Sequence, residues 1–363
     1  MELAAGGAVV SFTDTHTNRL REQFDARLDE YFAAQSLRAA LHDERFRELW
    51  NRLRSLSRGG KRVRPLLLLA AHDGLGGRRR DDAIRAAVAV ELLHTSLVIH
   101  DDIIDGDLER RGGPNITAAF AADARAHGLP EARSRAWGET MALLGGDLLL
   151  SAAVREVARI EAPEELRERL LAVLDEGIYL AASGEQADVA YGIGLERPDP
   201  AAIRAMMHRK TASYSFETPL RMGAALAEAP EPLTHRLGEI GRGLGILFQL
   251  RDDLLGAFGR PELTGKSASS DLREGKVTML VAYARDEPAW QAVAPLWGRP
   301  ELADHEIELL REALEVCGAR RRLEKEIERE GAHVLSLIGA ARLPSALTAE
   351  LRQVVRSGME REA

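Results

Sequence analysis

Glu91-Leu92-Leu93-His94-Thr95-Ser96-Leu97-Val98-Ile99-His100-Asp101-Asp102-Ile103-Ile104-Asp105 passes from a largely apolar stretch straight into a group of carboxylates. The stretch lacks period-two alternation and reads as a buried helix running to about Asp105. On that helix Asp101 and Asp105 share one face, one turn apart. Like charges at this spacing cost about a few tenths of a kcal/mol. They also sit at the C-terminal end, where the helix dipole disfavours anions. Alone, such a pattern is most often a solvated acidic helix end. Here the acidic patch opens from a buried face, and Arg110 and Arg111 follow within one loop. That combination implies an anion bridged by cations. Carboxylates without nearby His or Cys ligands suit a hard ion such as Mg²⁺, which completes its shell with water and phosphate.

The design recurs at Gln249-Leu250-Arg251-Asp252-Asp253-Leu254-Leu255-Gly256, again at the end of an apolar helix. Gly256 stands at the position that matches Asp105, so this half is incomplete. The loop beyond it carries Lys266, Asp271 and Lys276. Two acidic helix ends can face each other across a cavity in a helix bundle. Two basic segments complete the set. Gly59-Gly60-Lys61-Arg62-Val63-Arg64-Pro65 joins a flexible backbone to three cations, of which Arg64 can fork onto phosphate and Lys61 can act as a point charge. His208-Arg209-Lys210-Thr211-Ala212-Ser213-Tyr214 adds Lys210 and a neighbouring hydroxyl.

Composition agrees with a helical protein. Of 363 residues, 45% are hydrophobic and 29% charged, which excludes disorder, and the recurrent Ala, Leu, Arg and Glu lean all-α. A net charge of −8 argues against general nucleic-acid binding. The single cysteine, Cys317, excludes an internal disulfide framework or a zinc cluster and reads as a packing residue. No secretory signal is evident, and the longest apolar runs, such as Pro65 to Ala71, fall far short of the roughly 18 residues of a membrane span. A cytoplasmic location is the default expectation.

Residues 1–18 read as a flexible tail, followed by one all-α domain over 19–363. From Asn18, the residues Leu20, Phe24, Leu28, Tyr31 and Phe32 keep helical spacing. Asp81 is the expected cap of the helix that ends near Asp105. The Gly- and Pro-containing stretch 110–115 is a loop, and 121–137 reads as a polar surface insertion. Helical patterns resume at Met141–Val157, Glu164–Val189, Pro200–Leu226 and Leu233–Leu255. A polar loop then spans 256–276, and charged amphipathic helices fill the C-terminal part.

Taken in order, these motifs resemble the trans-isoprenyl diphosphate synthases, the polyprenyl synthetase family, from about residue 20 to the C-terminus. They are G-G-K-R-x-R-P at 59–65, E-L-x-H at 91–94, D-D-x-x-D-x-x-x-x-R-R-G-x-P at 101–114, G-D at 146–147, K-T-A at 210–212, F-Q-x-x-D-D at 248–253 and G-K-x-x-x-x-D-L-x-E-G-K at 265–276. The resemblance implies an all-α, single-domain bundle of roughly ten or more helices around a central cavity, working as a homodimer. It implies head-to-tail joining of isopentenyl diphosphate to an allylic diphosphate (dimethylallyl, geranyl or farnesyl). Lys61, Arg64, His94 and Arg111 would hold isopentenyl diphosphate. Asp101, Asp105 and Asp252 would bind Mg²⁺, expected as three ions with Mn²⁺ able to substitute. Arg110, Lys210 and Lys266 would grip the allylic diphosphate, and Lys276 belongs to the same substrate-binding set. Thr211 and Gln249 would direct oxygen dipoles at the developing cation. Asp102 and Asp253 are expected to face away from the metals and support them.

In this family the product grows from the first acidic motif toward that helix's N-terminus. Ser96 and Leu97 would then form a floor roughly 6 to 7.5 Å below the carboxylate, with Leu92 and Leu93 one turn further and Gln186 on another helix. No aromatic ring stands there, so the expectation is a twenty-carbon product, geranylgeranyl diphosphate, with farnesyl or longer products as alternatives. A degenerate regulatory subunit is a second alternative. A class I terpene cyclase would need an N-D-x-x-S-x-x-x-E site, which Asp252-Asp253 does not match.

Overall fold

The computed structural model describes residues 15–259, 270–299 and 301–359. Among these the fold is all-α. The only strands among the described residues are Glu109–Arg110 and Gly113–Pro114, which pair antiparallel in the loop after the first acidic motif. The chain divides into two compact units, one running to Leu171 and the other from Ala172.

In the first unit, α1 (Thr15–Ala40) begins inside the expected tail, of which residues 1–14 lie outside the described residues. Its predicted apolar stripe is buried: Phe24 and Phe32 are fully enclosed, and Leu20 and Leu28 nearly so. Helix α2 (Glu44–Ser57) starts on Asp43, whose carboxylate accepts the amides of Arg45 and Phe46. Helices α3 (Val63–Gly74) and α4 (Arg80–Asp105) follow. The expected cap at Asp81 is displaced. The helix begins at Arg80, leaving Asp81 and Asp82 in its first turn, where the N-terminal dipole favours anions. Asp82 instead accepts the amide of Glu161 at 3.3 Å. By length and composition α4 alone among the described helices could cross a bilayer, yet 78% of its most apolar window is buried inside the protein.

Residues 121–137 do not form a surface stretch between helices. They are the end of α5 (Ile116–Ala126), a turn through Gly128 at φ 83°, and the start of α6 (Glu131–Ala158). The hairpin packs through small residues: a Cβ on Gly138 would lie 2.2 Å from the Thr117 carbonyl, and Ser134 is fully buried. Its polar composition reflects two helices that each bury a narrow face of Ala, Gly and Ser. Helix α6 also packs along α4, with Gly146 facing His100. A Cβ there would meet the imidazole at 2.2 Å.

The second unit contains the rest of α7 (Glu164–Gly192), then α8 (Pro200–Met207), a π-helical segment (His208–Glu217) and α9 (Thr218–Leu226). A single regular helix was the expectation for 200–226. The wide π turns rest on α10 (Glu231–Phe258) where that helix offers glycine. A Cβ on Gly245 would lie 2.3 Å from Ala212 Cβ, and one on Gly241 would lie 2.7 Å from Glu217 Cα. Phe216 and Phe248 stack beside this seam, ring centroids 5.1 Å apart. The polar loop expected over 256–276 is shorter at both ends: α10 continues to Phe258, and α11 (Ser270–Glu274) precedes α12 (Met279–Ala284). After α13 (Pro288–Gln291), three amphipathic helices close the unit: α14 (Asp304–Val316), α15 (Ala319–Ala340) and α16 (Ser345–Met359).

Candidate active site

The basic element of the first unit is a turn held from below. Gly59 and Gly60 take φ of 78° and 81°, a backbone region that costs glycine nothing. Arg62, at φ 55°, turns inward to pair with Glu91 at 2.6 Å and Asp25 at 2.9 Å. It is a buried anchor, and Glu91 of the E-L-x-H motif is its counter-ion. Lys61 is left half-buried at the rim, with Arg64 buried behind it. Arg111 reaches back onto the same turn and donates to the carbonyls of Arg58 at 2.9 Å and Leu56 at 3.3 Å. His94 is buried beneath. Desolvation, then the charges of Arg64, Arg111 and Arg110, hold its imidazole well below the ordinary histidine range, so it is neutral at working pH. Lys61, Arg64, His94 and Arg111 therefore do come together. Such a concentration of positive charge in a low-dielectric setting suits a multiply charged anion such as a diphosphate.

At the acidic end of α4, the three aspartates divide into two kinds. Asp105 is exposed at the helix terminus, just before Gly106 ends the helix at φ 72°, and Asp101 lies one turn below it. Asp102 turns the other way. It pairs with Arg110 and accepts Asn115 Nδ2 at 3.1 Å. Asn115 in turn caps α5 by accepting the Ala118 amide at 3.0 Å. Burial pushes the Asp102 carboxyl up from its usual value, against the pull of Arg110. Arg110 is buried among Asp102, Asp107 and Asp101, the last two at 3.6 and 3.9 Å. The guanidinium expected to grip diphosphate thus also ties the loop to the acidic helix end.

The second unit repeats this division. Asp252 is half-buried, while Asp253 is enclosed and accepts Gln249 Nε2 and the Met279 amide, both at 3.0 Å. The Met279 amide is one that the start of α12 leaves without an intrahelical partner. Burial pushes the Asp253 carboxyl up to about 8. In both motifs, then, the second aspartate secures the start of a later helix. Gln249 links onward, its Oε1 accepting Thr211 Oγ at 3.4 Å. Lys210, carried with Thr211 on the π segment, reaches α7, where it meets Asp188 at 2.6 Å and Glu185 at 2.9 Å. Gly184 permits this approach, since a Cβ there would lie 2.1 Å from the Lys210 amide nitrogen.

Glu185 and Asp188 were not singled out in the sequence. Their spacing of three, which puts two carboxylates on one face of a helix, is the signal that could have found them. Lys276 pairs with Glu274 at 2.9 Å. Lys266 lies outside the described residues. Along the proposed floor, Ser96 is fully buried and donates to the Gly146 carbonyl at 2.8 Å, so it faces α6. Leu92 and Leu93 are fully buried, and Leu97 is half-exposed, one turn below Asp101.

The donor chemistry fits magnesium. Asp101, Asp105 and Asp252 offer only carboxylate oxygen, with no thiolate or imidazole among them. Among the described residues no three His, Cys, Asp or Glu side chains already form a cage. Carboxylate donors suit an ion that takes one or two of them and fills its shell with water and phosphate.

Comparison with known proteins agrees. The polyprenyl synthetase family model matches residues 48–313. A (2E,6E)-farnesyl diphosphate synthase of Mycobacterium tuberculosis is 32% identical over 358 residues, covering 96% of this chain and 90% of that protein. A geranylfarnesyl diphosphate synthase of Aeropyrum pernix is 34% identical over 250 residues, 68% and 73% of the two chains. The crystal structure of a geranylgeranyl pyrophosphate synthase from Corynebacterium glutamicum, complexed with isoprenyl diphosphate and magnesium, superposes with a TM-score of 0.87 at 28% identity over 95% of this chain and 99% of that one. This chain belongs to the polyprenyl synthetase family. It is a prenyltransferase of the short-chain trans type, from a family that works with divalent metal.

Proposed function

We propose that this chain condenses isopentenyl diphosphate with an allylic diphosphate and releases mainly geranylgeranyl diphosphate. The observation that carries the product length is Leu97. It is the one half-exposed residue between Glu91 and Ile99, one turn below Asp101, and it is not aromatic. Leu93, a turn further down, would set the next floor.

In this reading Lys61, Arg64, His94 and Arg111 hold isopentenyl diphosphate. Asp101, Asp105 and Asp252 carry magnesium, taken as three ions with manganese able to replace them. Bound metal would act as a Lewis acid on the departing diphosphate. Lys210, together with Arg110, Lys266 and Lys276, adds fixed positive charge where that anion forms. The linked oxygens of Thr211 and Gln249 stabilise the allylic cation. Apolar walls that include Leu93 and Leu97 keep water from capturing it. Holding both substrates makes the carbon–carbon step effectively unimolecular. No side-chain nucleophile is required, and the released diphosphate can take the final proton. The active form is a homodimer in the cytoplasm, a role for which Leu143 and Leu144 of α6, both about half exposed, supply apolar surface.

The test supplies the purified chain with isopentenyl and dimethylallyl diphosphates and Mg²⁺, then dephosphorylates the products and separates them by chromatography. A dominant twenty-carbon alcohol that disappears in excess EDTA is expected. A fifteen-carbon main product would overturn the length assignment. No product at all, with activity appearing only beside a second synthase, would favour a regulatory subunit.

A further inference from the structure

Gly256 occupies the third position of the second acidic motif and sits inside α10, two residues before its end. Glycine in a helix interior costs about 0.5–1 kcal/mol relative to alanine. The structure gives a reason for keeping it. A Cβ built on Gly256 would lie 2.0 Å from Asp271 Oδ2, 2.6 Å from Asp271 Cγ and 3.1 Å from Asp271 Oδ1. In an aspartate the carboxyl carbon lies about 1.5 Å from Cβ, the length of a carbon–carbon single bond. The Asp271 carboxylate therefore fills the space that a carboxylate on residue 256 would take.

The segment bearing Asp271 is pinned by its backbone. Lys276 N donates to the Asp271 carbonyl at 3.0 Å, and Gly298 N donates to the Leu272 carbonyl at 2.9 Å. Gly256 lies four residues after Asp252 on α10, one turn on along the same face, so the carboxylate that overlies Gly256 is on the face that carries Asp252.

We propose that Asp271 is the third carboxylate of the second acidic motif: reaching over Gly256 from the far end of the following loop, it replaces the aspartate that the motif lacks and serves the same magnesium-bound diphosphate as Asp252. The motif is then complete in space although it is broken in sequence. Glycine at 256 keeps that space open, since a Cβ there would oblige the Asp271 carboxylate to move. This inference rests on the prenyltransferase reading above.

The experiment measures Mn²⁺ binding by electron paramagnetic resonance in the presence of inorganic diphosphate, with each variant's fold checked by circular dichroism and thermal unfolding. Asp271→Ala, Asp271→Asn and Gly256→Ala should each weaken binding by about 10- to 100-fold, the usual loss when a group supporting a metal site is removed. The asparagine variant keeps the side-chain volume, so it separates charge from packing. The double variant Gly256→Asp/Asp271→Ala returns a carboxylate to the same space and should recover most of the lost affinity. Wild-type metal affinity in Asp271→Asn would overturn the proposal, as would a double variant no better than Asp271→Ala. A wild-type chain that binds Mn²⁺ and diphosphate but forms no product would sink the function reading and leave the metal titration to decide the role of Asp271.

Discussion

Replacing Leu97 and Ser96 in turn by phenylalanine separates two faces of α4 that lie one residue apart. Four residues of α-helix rise about 6 Å, so a ring at 97 would stand one turn below Asp101. The Leu97 side chain is only partly buried, so added bulk there should cost less than the about 1–3 kcal/mol of overpacking a fully buried site. Product length should fall from twenty carbons to fifteen or fewer. Ser96 differs although it is adjacent. It is fully buried, and its hydroxyl is bonded to the Gly146 carbonyl at 2.8 Å, beside the seam where Gly146 lies against the His100 ring. Losing that bond alone, as in Ser96→Ala, should cost about 1 kcal/mol. Forcing a ring into the seam should exceed the about 1–3 kcal/mol of ordinary overpacking. In a unit of this size each kcal/mol lowers the melting temperature by about 2–4 °C. Ser96→Phe should therefore melt at least about 6 °C lower, whatever it does to product length. The assay pairs thermal unfolding with chromatography of dephosphorylated products. A folded Leu97→Phe that keeps the parental product spectrum would refute the growth path. A Ser96→Phe variant as stable as the parent that shortens the product would place Ser96, not Leu97, on that path.

Other perturbations should separate support from chemistry. Asp102→Ala removes the nearest carboxylate of the buried Arg110, leaving it Asp107 at 3.6 Å and Asp101 at 3.9 Å, and should cost about 1–3 kcal/mol in denaturant unfolding, whereas Asp105→Ala, at an exposed helix end, should stay within about 0.5 kcal/mol yet lose most turnover. His94 has a folded pKa well below the unfolded value of about 6.5, so below that pH the unfolded chain binds more protons and stability falls as pH drops. His94→Gln should flatten the slope of unfolding free energy between about pH 5 and 6.5, a slope of up to about 1.4 kcal/mol per pH unit for one proton. In steady-state kinetics, Lys61→Ala should raise the Michaelis constant for isopentenyl diphosphate, and Lys210→Ala should act on the allylic substrate or its ionisation. Equal effects of both changes on both substrates would contradict the two-site assignment.

Where local pattern and tertiary outcome coincide, the chain was legible. The α1 stripe from Leu20 to Phe32 and the placing of Asp101 and Asp105 at a helix end follow from 3.6-residue periodicity alone. The roles of Asp102 and Asp253 were legible only as orientation, because their partners, Asn115 and the Met279 amide, are set by long-range packing. Arg62 looks like the Lys61 and Arg64 beside it, and only the fold shows that it spends its charge on Glu91 and Asp25. The α5–α6 hairpin was missed because Ala, Gly and Ser carry little hydropathy signal, yet they are what allow helices to pack closely. Gly256 read as a loss because Asp271, the residue that fills its space, lies 15 positions further on in a separate motif.

The π-helical stretch over His208–Glu217 has a consequence for which changes the gene could carry. An α-helix turns by about 100° per residue, and a π turn holds one residue more than an α turn. The extra residues let α8 and α9 each keep their own angular phase, while Lys210 points to α7 and Phe216 to α10. Removing one residue here would not trim a loop. It would tighten a wide turn toward an α turn, which keeps Leu220 and Met222 of α9 in the core but shifts Lys210 and Phe216 relative to their partners on α7 and α10. Surface connections usually absorb insertions and deletions while tolerating fewer changes at their functional side chains. In this segment the residue count itself decides which side chains reach α7 and α10.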